Sequence, residues 1–338
     1  EARSLSLYIR SLLRINYAKK YPANSYALGI VVHYGPGNLP INSIYSWITG
    51  FICGNINVVR SSTKTTNQQL EIITLISNLC QKNSFYDIFT FLKDADGYAK
   101  LTSKYCQARV IWGSNSIVNL IRKLDCNSKC RDIIFSDRKS AAIFNLDLVN
   151  NFDVNQKKFF ISALANDLFY ANSQPCTSPS VLFLISKNYE KNKILEILNG
   201  LLVNAEVLAN KKENWNLLSF SQQIQHLQYY SVNDEQPKFS NFDDSISKFA
   251  IVSNPTFQKR LFRTFEIIIV KNFDDLSHDI LHKFNIFVCE GLTEDQKYLL
   301  SSYDNCTKVT SAGYAHQFNL IWDGIDTVSS LTRIPEVS

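Results

Sequence analysis

Short apolar runs alternate with amphipathic stretches along the first 140 residues. The run Ala27-Leu28-Gly29-Ile30-Val31-Val32-His33-Tyr34 is continuous rather than alternating, the pattern of a strand buried on both faces of a parallel sheet. It ends in a turn cluster, Gly35-Pro36-Gly37-Asn38-Leu39-Pro40. A helix is predicted over Ile44 to Cys53 and a strand over Asn57 to Arg60. Thr65 or Thr66 caps a helix carrying Leu70, Ile73, Ile76 and Cys80 at helical spacing. Ile88 to Leu92, Ala108 to Trp112 and Asp132 to Phe135 continue the strands, with a helix over Ser116 to Leu124. Strands separated by helices in this way predict an α/β, doubly wound parallel sheet that binds ligands at its C-terminal strand ends.

The second half carries a long helix over Asn155 to Tyr170, then a loop containing Cys176. Strands follow at Val181 to Ile185, Phe265 to Val270 and Ile286 to Cys289, with helices between them. Asn and Asp cluster near 146 to 155, where a domain boundary is expected, and Lys211 to Asp244 reads as a polar surface excursion. The expected division is 1–148, 149–306 and a C-terminal segment, 307–338, packing back on the first domain.

Composition narrows the class. A chain of 338 residues, 45% hydrophobic and 19% charged, is globular rather than disordered. It has no uninterrupted run of about eighteen apolar residues, so no membrane-spanning helix is expected. A net charge of +5 without a basic stripe suits a small anionic ligand better than nucleic acid. Glu1-Ala2-Arg3-Ser4-Leu5 lacks the layout of a secretory signal. The eight cysteines form no disulfide or metal framework, since Cys126 and Cys130 have no second pair. Thiols of this kind point to a reducing cytoplasm.

Chemical motifs are sparse. Neither of the two common phosphate-binding fingerprints occurs, and Gly35 and Gly37 read as a turn or as a close approach to a ligand. The histidines are scattered; His278 and His282 share a helical face as a solvated pair. Cys176 lies in Ser173-Gln174-Pro175-Cys176-Thr177-Ser178-Pro179, a polar setting that suits a nucleophile and a structural thiol equally.

Six segments occur in a telling order: Gly35 to Pro40, Gly54-Asn55-Ile56-Asn57-Val58-Val59-Arg60-Ser61-Ser62, Trp112-Gly113-Ser114, Lys139-Ser140, Gln174-x-Cys176-x-Ser178-Pro179 and Trp322-Asp323-Gly324-x-Asp326. Together they resemble the aldehyde dehydrogenase superfamily, and within it the LuxC-type acyl-CoA reductases, from about Leu28 to Arg333. The resemblance implies an aldehyde dehydrogenase-like fold, with a Rossmann-type cofactor domain (1–148) and an α/β catalytic domain (149–306). It makes Cys176 the acyl-accepting nucleophile, and Asn38, with the Cys176 backbone N–H, the donor to the oxyanion. Arg60, beside Ser61, falls where the superfamily contacts the ribose. A guanidinium there suits a 2′-phosphate, so NADPH is expected with NADH as the alternative; an ordinary surface charge is the plain reading. Gly113 and Ser114 border the pyrophosphate or nicotinamide, and no metal is expected.

Hydrolytic members carry a glutamate four residues before the lysine matched by Lys139. Here Phe135 takes that place, and Asp137 and Arg138 replace two glycines. Without a base to activate water, an acyl-cysteine waits for a thiol or a hydride. The resemblance therefore implies a reductase of acyl-CoA or acyl-carrier thioesters that forms a fatty aldehyde. Phe159 and Phe160 either line an acyl channel or pack in the core. A homo-oligomer and an acyl-protein synthetase partner belong to the same expectation. The alternatives are an NAD(P)-dependent aldehyde-oxidising enzyme and a non-catalytic scaffold for an acyl-activating partner.

Overall fold

Apolar runs separated by helices build two parallel sheets, each in its own unit. The computed structural model describes residues 25–36, 41–61, 67–82, 89–93, 96–187, 190–211, 223–224, 240–241, 246–255 and 262–336. Its backbone divides into Glu1–Asp137 with Gln317–Ser338, and Arg138–His316. Most of the polar stretch 211–244 lies outside the described residues.

In the first unit, β1 (Tyr26–Ala27) precedes β2 (Ile30–Tyr34), β3 (Ile56–Ser61), β4 (Phe89–Lys93), β5 (Ala108–Trp112) and β6 (Arg131–Phe135). Strands β2 to β6 are all parallel, in the order β4-β3-β2-β5-β6, so the winding reverses between β2 and β5. The connecting helices are α1 (Ile41–Ile52), α2 (Asn67–Lys82), α3 (Asp96–Tyr105) and α4 (Asn115–Arg122). Val32, Tyr34 and Ile111 pack on Val118 and Ile121 of α4. Val31, Val110 and Trp112 pack on Leu320, Trp322, Val328 and Leu331 of the returning C-terminal segment.

The expected strand over 27–34 is broken at Gly29, whose φ is +127°. The Leu28 and Gly29 amides leave the strand ladder there and donate to Asn55 Oδ1 at 2.8 and 3.1 Å. Asn55 Nδ2 donates to the Leu331 carbonyl at 2.9 Å, which ties the C-terminal segment to the same point.

The second unit contains β7 (Ser140–Asn145), α5 (Leu146–Asn150), α6 (Val154–Phe169), β8 (Val181–Ile185) and α7 (Lys191–Asn210). After these come β9 (Ser240–Asn241), β10 (Lys248–Ile251), β11 (Thr264–Val270), α8 (His278–Leu281), β12 (Ile286–Glu290), α9 (Glu294–Ser301) and β13 (Lys308–Ser311). The sheet order is β13-β12-β7-β8-β11-β10-β9, parallel except for β9. Ala142, Phe144, Leu182 and Leu184 face α6 and α7, while Ala141, Ile143, Val181 and Phe183 face Leu281, Leu300 and Tyr303.

The division at 137/138 differs from the expected boundary at 148 because β7 hydrogen-bonds between β12 and β8. The segment returning to the first unit begins at Gln317 rather than 307, since β13 belongs to the second sheet. The Asn/Asp cluster is a set of caps, not a linker. Asn145 accepts the Leu148 amide, Asp153 and Gln156 form a capping box on α6, and Asp147 accepts from Ser186 and Lys187. Phe160 is 2% exposed and packs in the core, whereas Phe159 is 64% exposed. His278 and His282 both pack on Tyr303 rather than standing as a purely solvated pair. Among the described residues no helix is long and apolar enough to cross a membrane, and no group of three His, Cys, Asp or Glu side chains is placed to hold a metal ion.

Each unit buries a titratable group that desolvation shifts, His33 in the first and Asp167 in the second. His33 is fully buried, with Nε2 donating to Asn57 Oδ1 (2.9 Å) and Nδ1 accepting from Ser46 Oγ (2.6 Å). Asn57 uses its own Nδ2 on the Asn55 carbonyl, so its oxygen faces His33 and sets the tautomer. Desolvation pushes His33 down from 6.5 to about 4, against the Asn57 hydrogen bond. Asp167 is 1% exposed; it accepts the amides of Gly313 and Ala315 and the Asn166 side chain. Desolvation raises it from 3.8 to about 6 despite those donors.

The two linkages run in opposite directions. Between the unfolded and folded pKa of His33 the unfolded chain binds the extra proton, so its stabilisation is present above about pH 6.5 and lost towards pH 4. His33→Gln should remove an acid-induced loss on the order of 3 kcal/mol. Urea unfolding near pH 7 and pH 4 checks this, and an unchanged difference between the two would exclude it. For Asp167 the folded state binds the extra proton, so stabilisation is full below 3.8 and lost as pH rises through about 6. Asp167→Ala orphans the buried Ala315 amide and the part-buried Gly313 amide and should cost about 1–3 kcal/mol, more near pH 4 than near pH 7. Equal costs at the two pH values would overturn that assignment.

Candidate active site

The chain leaves α6 through three successive left-handed residues, Ala171 (φ 46°), Asn172 (φ 56°) and Ser173 (φ 62°). None is glycine, so each costs about 1–2 kcal/mol, and such strain is characteristic of functional sites. Ser173 Oγ donates to the Leu168 carbonyl and the Gln174 amide to the Ala171 carbonyl, which stabilises the reversal. Pro175 to Ser178 then forms a turn closed by the Ser178 amide on the Pro175 carbonyl at 3.0 Å. Cys176 is half-buried at its centre, while Thr177 and Ser178 are buried.

This turn is anchored from two distant places. Ser140 Oγ, at the start of β7, donates to the Cys176 carbonyl at 2.6 Å. The Ser180 amide donates to the Ser140 carbonyl at 3.2 Å, so one residue orients both the turn and the entry to β8. From the other side, His316 Nδ1 lies 2.6 Å from Thr177 Oγ1 and Nε2 lies 3.4 Å from Ser178 Oγ. The His316 ring also packs against Tyr170, 5.2 Å between centroids. Sequence reasoning missed these partners. Lys139-Ser140 was recognised as a motif, but nothing along the chain couples it to Cys176, 36 residues on, or couples Thr177 to a histidine 139 residues away.

In the first unit, Arg60 lies near the C-terminal end of β3, and Gly113 and Ser114 follow the C-terminal end of β5; these strands flank β2, on the sheet edge next to the switch point between β2 and β5 where such folds bind ligands. Arg60 is half-buried near the end of β3, and its carbonyl accepts the Gly35 amide at 3.0 Å. Ser61 closes the same strand. Gly113 follows β5 with its amide on the Phe135 carbonyl at 3.1 Å; a Cβ here would meet Ile117 Cγ2 at 2.9 Å. Ser114 stands at the N-cap position of α4, where its hydroxyl shares a hydrogen bond with Ser116 at 2.8 Å rather than capping the helix. A guanidinium and a hydroxyl at this edge suit the ribose and phosphates of a dinucleotide. One donor is already engaged: the Asn115 amide, which an anion at this helix start would use, donates to the Asp137 carboxylate at 3.0 Å. Asn38 lies outside the described residues.

Several motif residues are architectural. Asn55 and Asn57 satisfy buried backbone and His33, as described. Asp323 (φ 51°) and Gly324 (φ 76°) form the tight link between Ile321–Trp322 and Ile325–Asp326. Asp326 caps the next helical turn, accepting from Val328 and Ser329. Trp322 stacks on Phe318 at 3.9 Å, and Phe135 stacks on Trp112 at 4.2 Å within the same aromatic core.

Solved structures share this fold. Gamma-glutamyl-gamma-aminobutyraldehyde dehydrogenase from Burkholderia cenocepacia J2315 superposes with a TM-score of 0.65 at 12% identity, over 91% of this chain and 68% of its own. An aldehyde dehydrogenase from Bartonella henselae gives 0.62 at 13% identity, over 91% and 70%. Proline utilization A from Bradyrhizobium japonicum gives 0.60 at 9% identity, over 86% of this chain and 32% of its own. The chain thus spans about a third of the latter protein and about two thirds of the dehydrogenases; at such identities the likeness establishes an aldehyde dehydrogenase-like fold. No curated protein matches the chain. The family model for acyl-CoA reductase (LuxC) matches residues 9–334, nearly the whole sequence, and the chain belongs to that family.

Proposed function

We propose that the chain reduces acyl thioesters to aldehydes, taking the acyl group from CoA or a carrier protein onto Cys176. The observation that carries this reading is the Pro175–Ser178 turn, which presents a half-buried thiol on a backbone held by Ser140. The Cys176 thiolate adds to the thioester carbonyl; the oxyanion collapses, the carrier leaves as its thiolate, and the acyl group stays on sulfur. The Cys176 amide and the Asn38 side chain are assigned to the oxyanion from the family resemblance, and donors of this kind contribute about 10²–10³ in rate. When bound, a reduced nicotinamide dinucleotide supplies the hydride that converts the acyl group to aldehyde. Cys176 then departs as thiolate and is ready for another donor.

Phe135 supports reduction over hydrolysis. At the position where a water-activating glutamate is counted, an aromatic ring is stacked in the core and offers no base. Arg60 at the sheet edge supports NADPH as the hydride source. An acylated partner protein, delivered by an acyl-protein synthetase, is a second candidate donor, and assembly into a homo-oligomer is part of the same reading.

Wild-type protein mixed with acyl-CoA should gain one acyl group by intact mass and, with NADPH, release aldehyde; Cys176→Ala should do neither. An unlabelled wild type would favour the scaffold alternative, and acid in place of aldehyde would favour the hydrolytic one. Arg60→Ala should raise the KM for NADPH by about tenfold or more through loss of charge-assisted hydrogen bonds, with little change for NADH. Equal changes for the two cofactors would remove Arg60 from the 2′-phosphate.

A further inference from the structure

We propose that His316 is the positioning residue of the nucleophile turn, its two ring nitrogens holding the hydroxyls of Thr177 and Ser178 so that Cys176 is presented in one orientation. The contacts are the 2.6 Å approach of Nδ1 to Thr177 Oγ1 and the 3.4 Å approach of Nε2 to Ser178 Oγ. A neutral imidazole has one donor and one acceptor nitrogen, and a hydroxyl can answer either. One ring therefore serves both residues that follow the thiol. Its face packs on Tyr170, the residue that opens the left-handed segment, so His316 touches the nucleophile segment at its beginning and at its end.

His316 is itself rigidly delivered. The preceding loop is held on α6 by Asp167, which accepts the Gly313 and Ala315 amides, and by Asn166 Nδ2 on the Gly313 carbonyl at 3.2 Å. Lys308 Nζ donates to the Tyr314 and Ala315 carbonyls at 2.9 and 3.0 Å. The imidazole thus reaches the turn from a loop fixed on both sides.

The motion it opposes is a flip of the Cys176–Thr177 peptide, the central peptide of the turn. Flipping would break the Ser140 hydrogen bond to the Cys176 carbonyl and force Thr177, a β-branched residue, towards positive φ. Ser140 holds that peptide by its oxygen, and His316 holds the Thr177 side chain on its far end. Loss of His316 leaves the sulfur and the Cys176 amide free to shift together. A misplacement of about 1 Å at a reacting group costs on the order of 10²-fold.

The reading of Cys176 as an acyl acceptor underlies part of this inference, so the test has one arm that does not need it. Alkylation of Cys176 by iodoacetamide is followed by mass spectrometry of its own peptide. This is necessary because Cys130, whose thiol the Cys106 hydrogen bond lowers to about 7, will react as well. Acylation is followed as single-turnover release of CoA.

His316→Ala should slow both reactions at Cys176 by about 10–100-fold, with the loss appearing in kcat and the thioester KM within about threefold of wild type. His316→Asn, whose amide occupies the Nδ1 position, should recover most of the rate. Thr177→Val should reproduce His316→Ala, and the double variant should be no slower than either single one. If His316→Ala fails to fold, Thr177→Val decides, since it exchanges the hydroxyl for a methyl of similar size and leaves the His316 ring in place. Wild-type rates in either variant, or an Asn variant no better than Ala, would overturn the proposal. A wild-type Cys176 that alkylates but never takes an acyl group would sink the functional reading, leaving the alkylation rates to decide for or against His316.

Discussion

A thiol on a flexible loop reacts with whatever it meets, whereas a nucleophile for one carbonyl needs a backbone that cannot turn. In the second unit, with Cys176 as the proposed nucleophile, that constraint falls on the hydrogen bond from Ser140 to the Cys176 carbonyl. Ser140 can supply it because β7 lies between β12 and β8 and is held on both edges. Ser140 also receives the Ser180 amide, so the exit from the turn and the start of β8 share its register. The left-handed residues 171–173 are tolerated because α6 before them is anchored through Phe160, Leu164 and Leu168 in the core.

The first unit solves a different problem, keeping polar groups buried beneath a sheet covered on both faces. Asn55 joins the β1–β2 bend to Leu331, and Asn57 orients a neutral His33 against Ser46. Gly50 permits this: a Cβ there would fall 2.0 Å from Asn57 Oδ1. The first unit's residues in the segments that carry the family resemblance thus divide into two kinds. Those around Asn55 and Trp322 satisfy buried groups and close turns, while those around Arg60 and Gly113 form the C-terminal edge of the sheet. Motif membership alone does not distinguish a ligand contact from a structural one.

Much of the architecture was legible because it is written locally. Parallel strands such as Val31 to Tyr34 and Val181 to Ile185 are buried on both faces, so their apolar runs stand out. The strand Ser140–Asn145 did not stand out, because its apolar stretch runs straight into the caps Asn145, Asp147 and Asp153. Those polar residues resemble a linker in sequence and serve two helices in space. That misreading moved the expected boundary into the middle of a folded unit.

By itself the sequence determined the α/β class, the positions of the first five parallel strands and the family, and it singled out the Cys176 thiol as the candidate nucleophile, since each depends on periodicity or on residues adjacent along the chain. Only the tertiary structure decided what holds that thiol. Ser140 and His316 lie 36 and about 140 residues from their partners, and no local pattern encodes a contact across such separations. They meet Cys176 and its neighbours because a parallel sheet aligns the start of β7 with the start of β8, and because Asp167 binds the loop after β13 to the helix that leads into the turn.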